Sequence, residues 1–349
     1  MRQSRRGTAP KTEYRKPNSH LSMLPIVFIH SGYQSYLEYS LRQCRLANPE
    51  SAVYVLGDDA NKNRFPFVTH VPIAALNPEK SDLFTQNYIH RSTNPEWYER
   101  LCFVRWFYVL AFMEERQLDT VFVADSDVML YKNLGQYTAW KNRRPNQQSA
   151  YCLAEYPTAN PYSWQASAHS SFWTRQGIAD FCDYLLLTYQ TQDNQNRLEA
   201  KWQYHQQNKQ AGGVSDMALL YLYAADYPDR VINLLKPSAT PGQPTPDVFD
   251  LNISISSNRL ADEFELDGNH LKKVMWKPSN YEGYNRVLNQ NCIFNSLHFQ
   301  GLSKQFIHRY YQGTDLRLHR IGQEVAQRFS PVLQRVHRLK NGLKRLLTS

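Results

Sequence analysis

Two aspartates, Asp125 and Asp127, directly follow the apolar segment Thr-Val-Phe-Val-Ala at residues 120–124. Side chains alternate in an extended chain, so residues two apart project to the same side. Two negative charges in that position repel each other unless a cation lies beside them, and carboxylate oxygens suit Mg²⁺ or Mn²⁺. The pair therefore indicates a divalent-metal site. The alternative is that both aspartates only form the turn that ends the strand.

His298, Gly301 and Lys304 form a second candidate group near the end of the chain. A neutral imidazole offers a nitrogen ligand to a metal, and glycine lets the backbone approach a bound group closely. The lysine stands at the start of a helix predicted over 302–311, where its ammonium would join free backbone N–H groups. Together these features predict a receptor for a pyrophosphate. Taken alone, His298 is better explained as a hydrogen-bonded core histidine.

The elements that must position these groups follow an α/β order in the first half of the chain, where apolar runs alternate with helical periodicity. The predicted strands are 25–29, 52–56, 67–71 and 120–124, and the predicted helices are 34–47 and 96–116. Ligands of such folds bind where parallel strands end and helices begin. The residues expected at that edge are His30, Asp58, Asp59 and Asp125.

The second half of the chain is less regular. Its predicted helices are 176–190, 197–210 and 214–226, and its predicted strands are 149–154, 231–235, 248–255, 272–276 and 294–299. Four prolines and a glycine at 236–246 indicate a surface loop. We predict one α/β domain over 21–315, between a disordered basic arm at 1–20 and a basic amphipathic helical tail at 316–349.

The net charge of +9 is concentrated at the two ends of the 349-residue chain. Residues 1–20 carry six Lys/Arg against one Glu, and residues 316–349 carry eight against one Glu. The remaining residues hold 26 basic and 29 acidic side chains, so the body of the protein is mildly acidic. A basic surface for nucleic acid is therefore not expected on the domain, and we predict no nucleic-acid partner.

Compartment and membrane signals are weak in this sequence. No apolar run approaches the ~18–20 residues of a membrane-spanning helix, and residues 1–20 lack the apolar core of a signal peptide. The five cysteines are odd in number and widely spaced, which favours a reduced, cytoplasmic location with the thiols as core residues. In the tail, a basic amphipathic helix split by Pro331 would either contact the anionic inner face of a membrane or pack on the domain.

The two motifs resemble those of the nucleotide-sugar-dependent glycosyltransferases of the GT-A fold, which carry an Asp-x-Asp metal motif after a central strand. The spacing of His298, Gly301 and Lys304 is similar to the His-x-x-Gly-x-x-Lys motif of the branch that contains glycogenin and bacterial lipopolysaccharide galactosyltransferases. That branch usually continues with Pro-Trp after the lysine, whereas Gln-Phe follows in this chain.

The resemblance implies an α/β fold of the GT-A (Rossmann-like) type, with a mixed, mainly parallel sheet flanked by helices. It implies that Asp125, Asp127 and His298 hold Mn²⁺, or Mg²⁺, which bridges the two phosphates of a nucleotide-diphosphate sugar, while Lys304 contacts the phosphate. The implied activity is hexosyl transfer from a UDP-sugar to a glycan, glycolipid or other hydroxyl acceptor, with retention and no dedicated base. An inverting reaction would instead need a carboxylate such as Glu155 or Asp216.

Further donor-binding and acceptor-side residues are implied by the same resemblance. Arg105, with Arg100 as the competing position, matches a basic residue that contacts the donor; the alternative is a surface ion pair. Asp216 matches an acidic turn near the transferred sugar; the alternative is a helix N-cap. Residues near 155 and at 168–173 would line the acceptor pocket. The other donor-binding candidates are His30, Ser31, Gly32 and Asp58, each equally explained by turn chemistry, together with Ser126 and Gly301.

Two alternatives compete with glycosyl transfer. Phosphatases of the haloacid-dehalogenase type also place Asp-x-Asp after an apolar strand, and Asp125 would then be the nucleophile. The further acidic motif of those enzymes is not found downstream, and that interpretation leaves His298 and Lys304 unexplained. The other alternative is a protein without enzymatic activity that binds carbohydrate or nucleic acid.

Overall fold

The computed structural model describes residues 23–154, 159–239, 242–254, 263–277 and 280–316. The basic ends predicted at 1–20 and 316–349 lie outside these ranges, apart from Leu316, and so does Glu155. Within the described ranges, no helix combines the length and apolar character that crossing a membrane requires. The five cysteines all lie in the described part and are free thiols, four of them buried.

Twelve strands and seven α-helices make up the described part of the chain, together with short 3₁₀ turns. Strands β1 to β12 are, in order, Ile26–His30, Val53–Gly57, Thr69–Pro72, Thr120–Asp125, Val128–Leu130, Ser149–Leu153, Ala166–Thr174, Val231–Asn233, Asp247–Phe249, Met275–Lys277, Asn280–Asn285 and Gln290–His298. Helices α1 to α7 are, in order, Ser35–Ala47, Ser81–Asn87, Glu96–Glu115, Thr138–Lys141, Arg175–Gln190, Gln192–Gln207 and Asp216–Asp226. A longer 3₁₀ helix spans Gly301–Tyr310.

The central sheet has seven strands in the order β3-β2-β1-β4-β7-β6-β8. The pairs β3–β2, β2–β1, β1–β4 and β6–β8 are parallel, and only β7 runs antiparallel to its two neighbours. Helices pack on this sheet, so the predicted class of a mixed, mainly parallel sheet flanked by helices is confirmed. A smaller sheet, β10-β11-β12-β5, has β9 parallel to β12.

Helix α3 shows why the sequence folds onto the sheet in this way. Its apolar side chains recur every three or four residues, and Phe103, Trp106, Phe107 and Met113 are buried in one aromatic core cluster. The Trp106 ring lies 5.2 Å from the ring of Trp173, which belongs to β7. Truncating a buried aromatic of this size to alanine costs about 3–5 kcal/mol. The packing fixes α3, and with it the polar side chains on the same helix, against the central sheet.

Several element predictions from the sequence need correction. The helix predicted at 197–210 is α6 and begins at Gln192, and the helix predicted at 302–311 is the 3₁₀ helix. Strand β5 and helix α2 were not predicted. Residues 168–173, expected to line an acceptor pocket, are instead the buried middle of β7, which pairs with both β4 and β6. The Ser and His residues of β7 hide the strand in sequence, because they are buried without an apolar pattern.

Candidate active site

The site lies at the edge of the central sheet where β1 and β4 end, and the smaller sheet closes it. Asp125 is the last residue of β4 and pairs with Ile29 of β1. The chain then turns into β5, which pairs antiparallel with β12 and sets Val128 opposite His298. The backbone N–H of Phe299 donates to the carbonyl of Asp127 at 3.0 Å. The junction between the two sheets therefore brings both aspartates and the histidine together, as their sequence pattern predicts.

Asp125, Asp127 and His298 form a compact candidate metal-ligating set. One ligand atom from each residue lies within 4.8 Å of the other two. Asp127 Oδ1 is 3.5 Å from His298 Nε2, and Lys304 Nζ is 3.0 Å from Asp127 Oδ2. Burial alone would raise the pKa of Asp127, but the charges of His298 and Lys304 outweigh it and hold that pKa well below its usual range. This carboxylate is therefore ionised, as a ligand to a cation must be.

The imidazole of His298 is oriented by its surroundings. A carbonyl oxygen only accepts, so Nδ1 must donate its proton to the carbonyl of Leu251 at 2.7 Å, and Nε2 is left facing Asp127. The ring of His169 stacks on that of His298, with centroids 4.0 Å apart and planes 9° from parallel. His298 is thus a buried, hydrogen-bonded histidine, and its remaining nitrogen is presented to the two aspartates.

A buried ion pair lies behind this histidine and was not predicted. Asp250 Oδ2 accepts the backbone N–H of His298 at 3.0 Å, and Lys272 bonds to the other carboxylate oxygen. The carbonyl of Asp250 accepts from His169 Nε2 at 2.8 Å. Burial, with the nearby His298, lowers the pKa of His169 far below its usual value, so this ring is neutral. Nothing in the local sequence of Asp250 or Lys272 signals this role.

Arg105 joins Asp125 of the candidate metal-ligating set to helix α7. Its guanidinium donates to Asp125 Oδ1 at 2.7 Å and to Asp216 Oδ2 at 2.8 Å, and the indole of Trp106 also donates to Asp216 at 3.2 Å. These contacts are largely buried, so the surface ion pair considered for Arg105 is not what the structure shows. The competing Arg100 instead lies on the exposed side of α3, 3.6 Å from Glu96.

Asp216 opens helix α7 without capping it. Ser215 occupies the N-cap position, and the Asp216 carboxylate is turned toward Arg105 and Trp106. The capping alternative for Asp216 is therefore wrong. Burial raises the pKa of this carboxyl, while the charge of Arg105 acts in the opposite direction.

The donor-binding candidates after β1 and β2 are also close together. Asp58 Oδ2 accepts from the backbone N–H of Gly32 at 2.7 Å and from Ser31 Oγ at 2.9 Å. Although partial burial acts against it, these hydrogen bonds lower the pKa of Asp58. His30 Nδ1 lies 3.0 Å from Ser126 Oγ, and its buried Nε2 has no hydrogen-bond partner within the described residues. This small network holds the turn beside the metal-ligating set in one conformation.

Asp59, Gly301 and Lys304 lie in the turns and the 3₁₀ helix around the site. Asp59 begins an exposed 3₁₀ turn that the side chain of Asp58 caps. Gly301 has a φ of 62°, a left-handed conformation that glycine adopts without strain, and it turns the chain from β12 into the 3₁₀ helix. That turn brings the ammonium of Lys304 over the ring of Tyr36, 5.2 Å from its centroid.

A cavity of about 500 Å³ opens beside this cluster, a size common among small-molecule sites. It extends from His298 and Gln300 to helix α6 and the glycine-containing turn before α7. The residues on its wall include Glu99, Trp164, Lys201, His205, Gly212, Gly213 and Met217. The sequence did not indicate Lys201 and His205 as site residues, because both belong to a predicted helix with many other polar residues.

No family model matches the chain, and no curated protein matches it. Among solved structures, it is similar to the apo form of mouse xyloside xylosyltransferase 1, with 11% identity over 60% of this chain and 84% of that one and a TM-score of 0.40. It is also similar to the apo structure of the WbbM bifunctional glycosyltransferase, with 11% identity over 86% of this chain, 52% of that one and a TM-score of 0.43. A third is a glycosyltransferase involved in the glycosylation of the major capsid of PBCV-1, with 10% identity over 48% and 68% of the two chains and a TM-score of 0.27.

Proposed function

We propose that this protein is a metal-dependent glycosyltransferase. It would move a hexose from a nucleotide-diphosphate sugar, a UDP-sugar by resemblance, to a hydroxyl group of a glycan or glycolipid. The single observation that carries this proposal is the convergence of Asp125, Asp127 and His298 with Lys304 at the edge where β1 and β4 end. Ligands of α/β folds bind at such edges, and this one combines a cation-binding set with a fixed ammonium.

The residues present fit a divalent cation. Two carboxylates and one imidazole, whose Nε2 faces Asp127 and would be a ligand once deprotonated, are hard and borderline ligands that suit Mn²⁺ or Mg²⁺. When bound, such an ion supplies Lewis-acid stabilisation of the negative charge on the departing nucleoside diphosphate. Lys304, held 3.0 Å from Asp127, adds a preorganised positive charge for the same leaving group.

The network around Asp58 fits the nucleoside part of the donor. Asp58 fixes the hydroxyl of Ser31 and the backbone N–H of Gly32, and the buried Nε2 of His30 has no hydrogen-bond partner among the residues that the structure describes. A ribose or base that enters this edge would meet polar groups already held in place. Binding would then require little side-chain ordering, which supports affinity for the donor.

The pairing of Asp216 argues against this carboxylate as the general base of an inverting reaction. A general base for inversion must be free to accept the proton of the acceptor hydroxyl, whereas this carboxylate bonds both Arg105 and Trp106. In the proposed reaction, Arg105 and Asp216 orient the transferred sugar, and the acceptor enters from the cavity beside His298. The phosphatase alternative is less well supported, because its nucleophile Asp125 accepts from Arg105 at 2.7 Å.

A donor screen tests the proposal. The full-length protein is incubated with UDP-, GDP- and CMP-sugars in Mn²⁺, and released nucleotide is separated from inorganic phosphate by chromatography. We expect one nucleotide to be released, with activity lost in EDTA and in Asp125→Ala. Asp229→Ala, an exposed aspartate outside the site, is the matched control. Full metal-dependent release by Asp125→Ala would refute the metal site, and release of phosphate alone would favour a phosphatase.

A further inference from the structure

Lys201 of α6 is a buried lysine on the wall of the cavity beside His298. Only 4% of its surface is exposed. Its Nζ donates to the carbonyl of Tyr162 at 2.6 Å and lies 3.3 Å from His205 Nε2. An ammonium has three donors, so these two partners leave one for another group. No ion pair links Lys201 to a carboxylate in the part of the chain that the structure describes.

Other buried cations of this protein differ from Lys201 in that respect. Arg105 bonds two aspartates, Lys272 bonds Asp250, and Arg91 donates to Glu199 at 2.8 Å. A charge removed from water without an opposite charge is costly, which is why buried charges are normally paired. Burial accordingly lowers the pKa of Lys201 to about 8. The fold therefore holds this ammonium in an unfavourable position that a bound anion would relieve.

The surroundings of Lys201 point to a ligand in the cavity. The Lys201 ammonium lies 5.2 Å from the ring centroid of Trp164, an aromatic face on the same wall. Glu99 also lines the cavity, but its carboxylate accepts from Ser92 and Asn94 and does not contact Lys201. An aromatic face beside polar groups suits a sugar ring, and the cavity extends from this position to the metal-ligating histidine.

We propose that Lys201 binds an anionic group, a carboxylate or a phosphate, carried by the sugar acceptor. This inference rests on the proposed glycosyl transfer and names the chemical class of its acceptor. With the anionic group on Lys201, the neutral part of the sugar would lie along Trp164, and a hydroxyl would face the donor near His298. A neutral sugar of the same shape would leave the ammonium without an opposite charge.

The test compares matched probes. Methyl β-glucuronide, methyl β-glucoside and the 6-phosphate of that glucoside differ only at carbon 6, and their binding to the full-length protein is measured by calorimetry with UDP and Mn²⁺ present. We expect one anionic probe to bind about tenfold or more tightly than the neutral probe, as for other charge-assisted hydrogen bonds. The stronger of the two anionic probes identifies the acceptor as a uronic acid or a sugar phosphate.

Two variants show whether Lys201 is responsible. Lys201→Gln should remove the preference for the anionic probe, while Lys201→Arg, which keeps the charge, should retain part of it. Lys141→Gln removes an exposed charge on α4 and should change nothing. Melting temperatures and circular dichroism establish that each variant is folded. Equal binding of neutral and anionic probes, no binding of either anionic probe, or an unchanged preference in Lys201→Gln would overturn the inference.

Failure of this inference can be separated from failure of the proposed function. Release of nucleotide from a donor by the wild-type protein is measured in the same preparation. If nucleotide is released and no anionic preference is found, only the assignment of Lys201 is wrong. If no donor is turned over and Mn²⁺ does not bind, the glycosyltransferase proposal fails first.

Discussion

Replacing Lys272 with methionine tests whether the buried ion pair behind His298 supports both the fold and the site. The side chain of Asp250 is fully buried and that of Lys272 is 4% exposed. Without the ammonium, the Asp250 carboxylate would keep one described hydrogen bond, from the backbone N–H of His298 at 3.0 Å. Methionine has nearly the same length as lysine and can keep the packing against Phe264. The substitution therefore removes mainly the charge.

The expected loss of stability is large for a single substitution. Removing one partner of a buried ion pair costs about 3–5 kcal/mol, because it leaves an uncompensated charge. Urea unfolding of full-length protein at pH 7 measures the free energy. The neighbouring Lys273→Met is the matched control, because Lys273 contacts Glu265 at 3.2 Å with both side chains exposed. Pairs of that kind contribute about 0–1 kcal/mol.

A double variant keeps the test informative if the single variant does not fold. In Asp250→Asn with Lys272→Met, no charge is left behind, so part of the lost stability should return. Because the backbone N–H of His298 donates to Asp250, we also expect the affinity for Mn²⁺ to fall about 10- to 100-fold in Lys272→Met. An unfolding free energy of Lys272→Met within about 1 kcal/mol of Lys273→Met would refute the reasoning.

Three further predictions follow from other parts of the structure. Arg105→Lys, whose single nitrogen cannot reproduce the two directed bonds of the guanidinium, should lower donor hydrolysis about 100-fold, while the exposed Arg100→Lys should not. The pKa of Lys201 is about 8 in the folded protein and near 10.4 in the unfolded chain, so the unfolded chain binds more protons between these two pH values. The free energy of unfolding of the wild type, measured in urea, should therefore rise by about 3 kcal/mol relative to that of Lys201→Met as pH rises from about 8 to 10.4. Gly213→Ala should lower the unfolding free energy by about 2 kcal/mol more than Gly212→Ala: both residues have positive φ, but only at Gly213 would a Cβ lie 2.2 Å from a backbone oxygen.

The metal-ligating set could be predicted from the sequence because each of its residues stands at the end of an apolar strand. The two aspartates follow one apolar strand and the histidine ends another. Residues at strand ends lie at an edge of a sheet, so the pattern places all three at one edge. The first strands and helices were predictable for a similar reason, since β1, β2 and β4 are short apolar runs between clear turn residues. These local patterns agree with the final fold, which is why they sufficed.

The rest of the site depends on contacts between distant segments. Neither Asp250 nor Lys272 has a local signal, because each becomes important only when the distant segments that carry them come together and bury the pair. Strand β7 was missed because Ser170 and Ser171 are polar yet fully buried in the middle of the sheet. Lys201 is one of several polar residues on α6, and only the packing of the helix shows that its ammonium is buried.

The pairing of β5 with β12 has a consequence for how the protein folds. Asp127 and His298 lie far apart in sequence, and they meet only when β5 pairs with β12 in the smaller sheet. Contacts of such high sequence separation form slowly, because a long loop must close before they stabilise the chain. A ligand that binds all three residues would hold the two sheets together, and it would raise the free energy of unfolding by an amount set by its concentration relative to its Kd. Folding and ligand binding are thus thermodynamically linked at this junction.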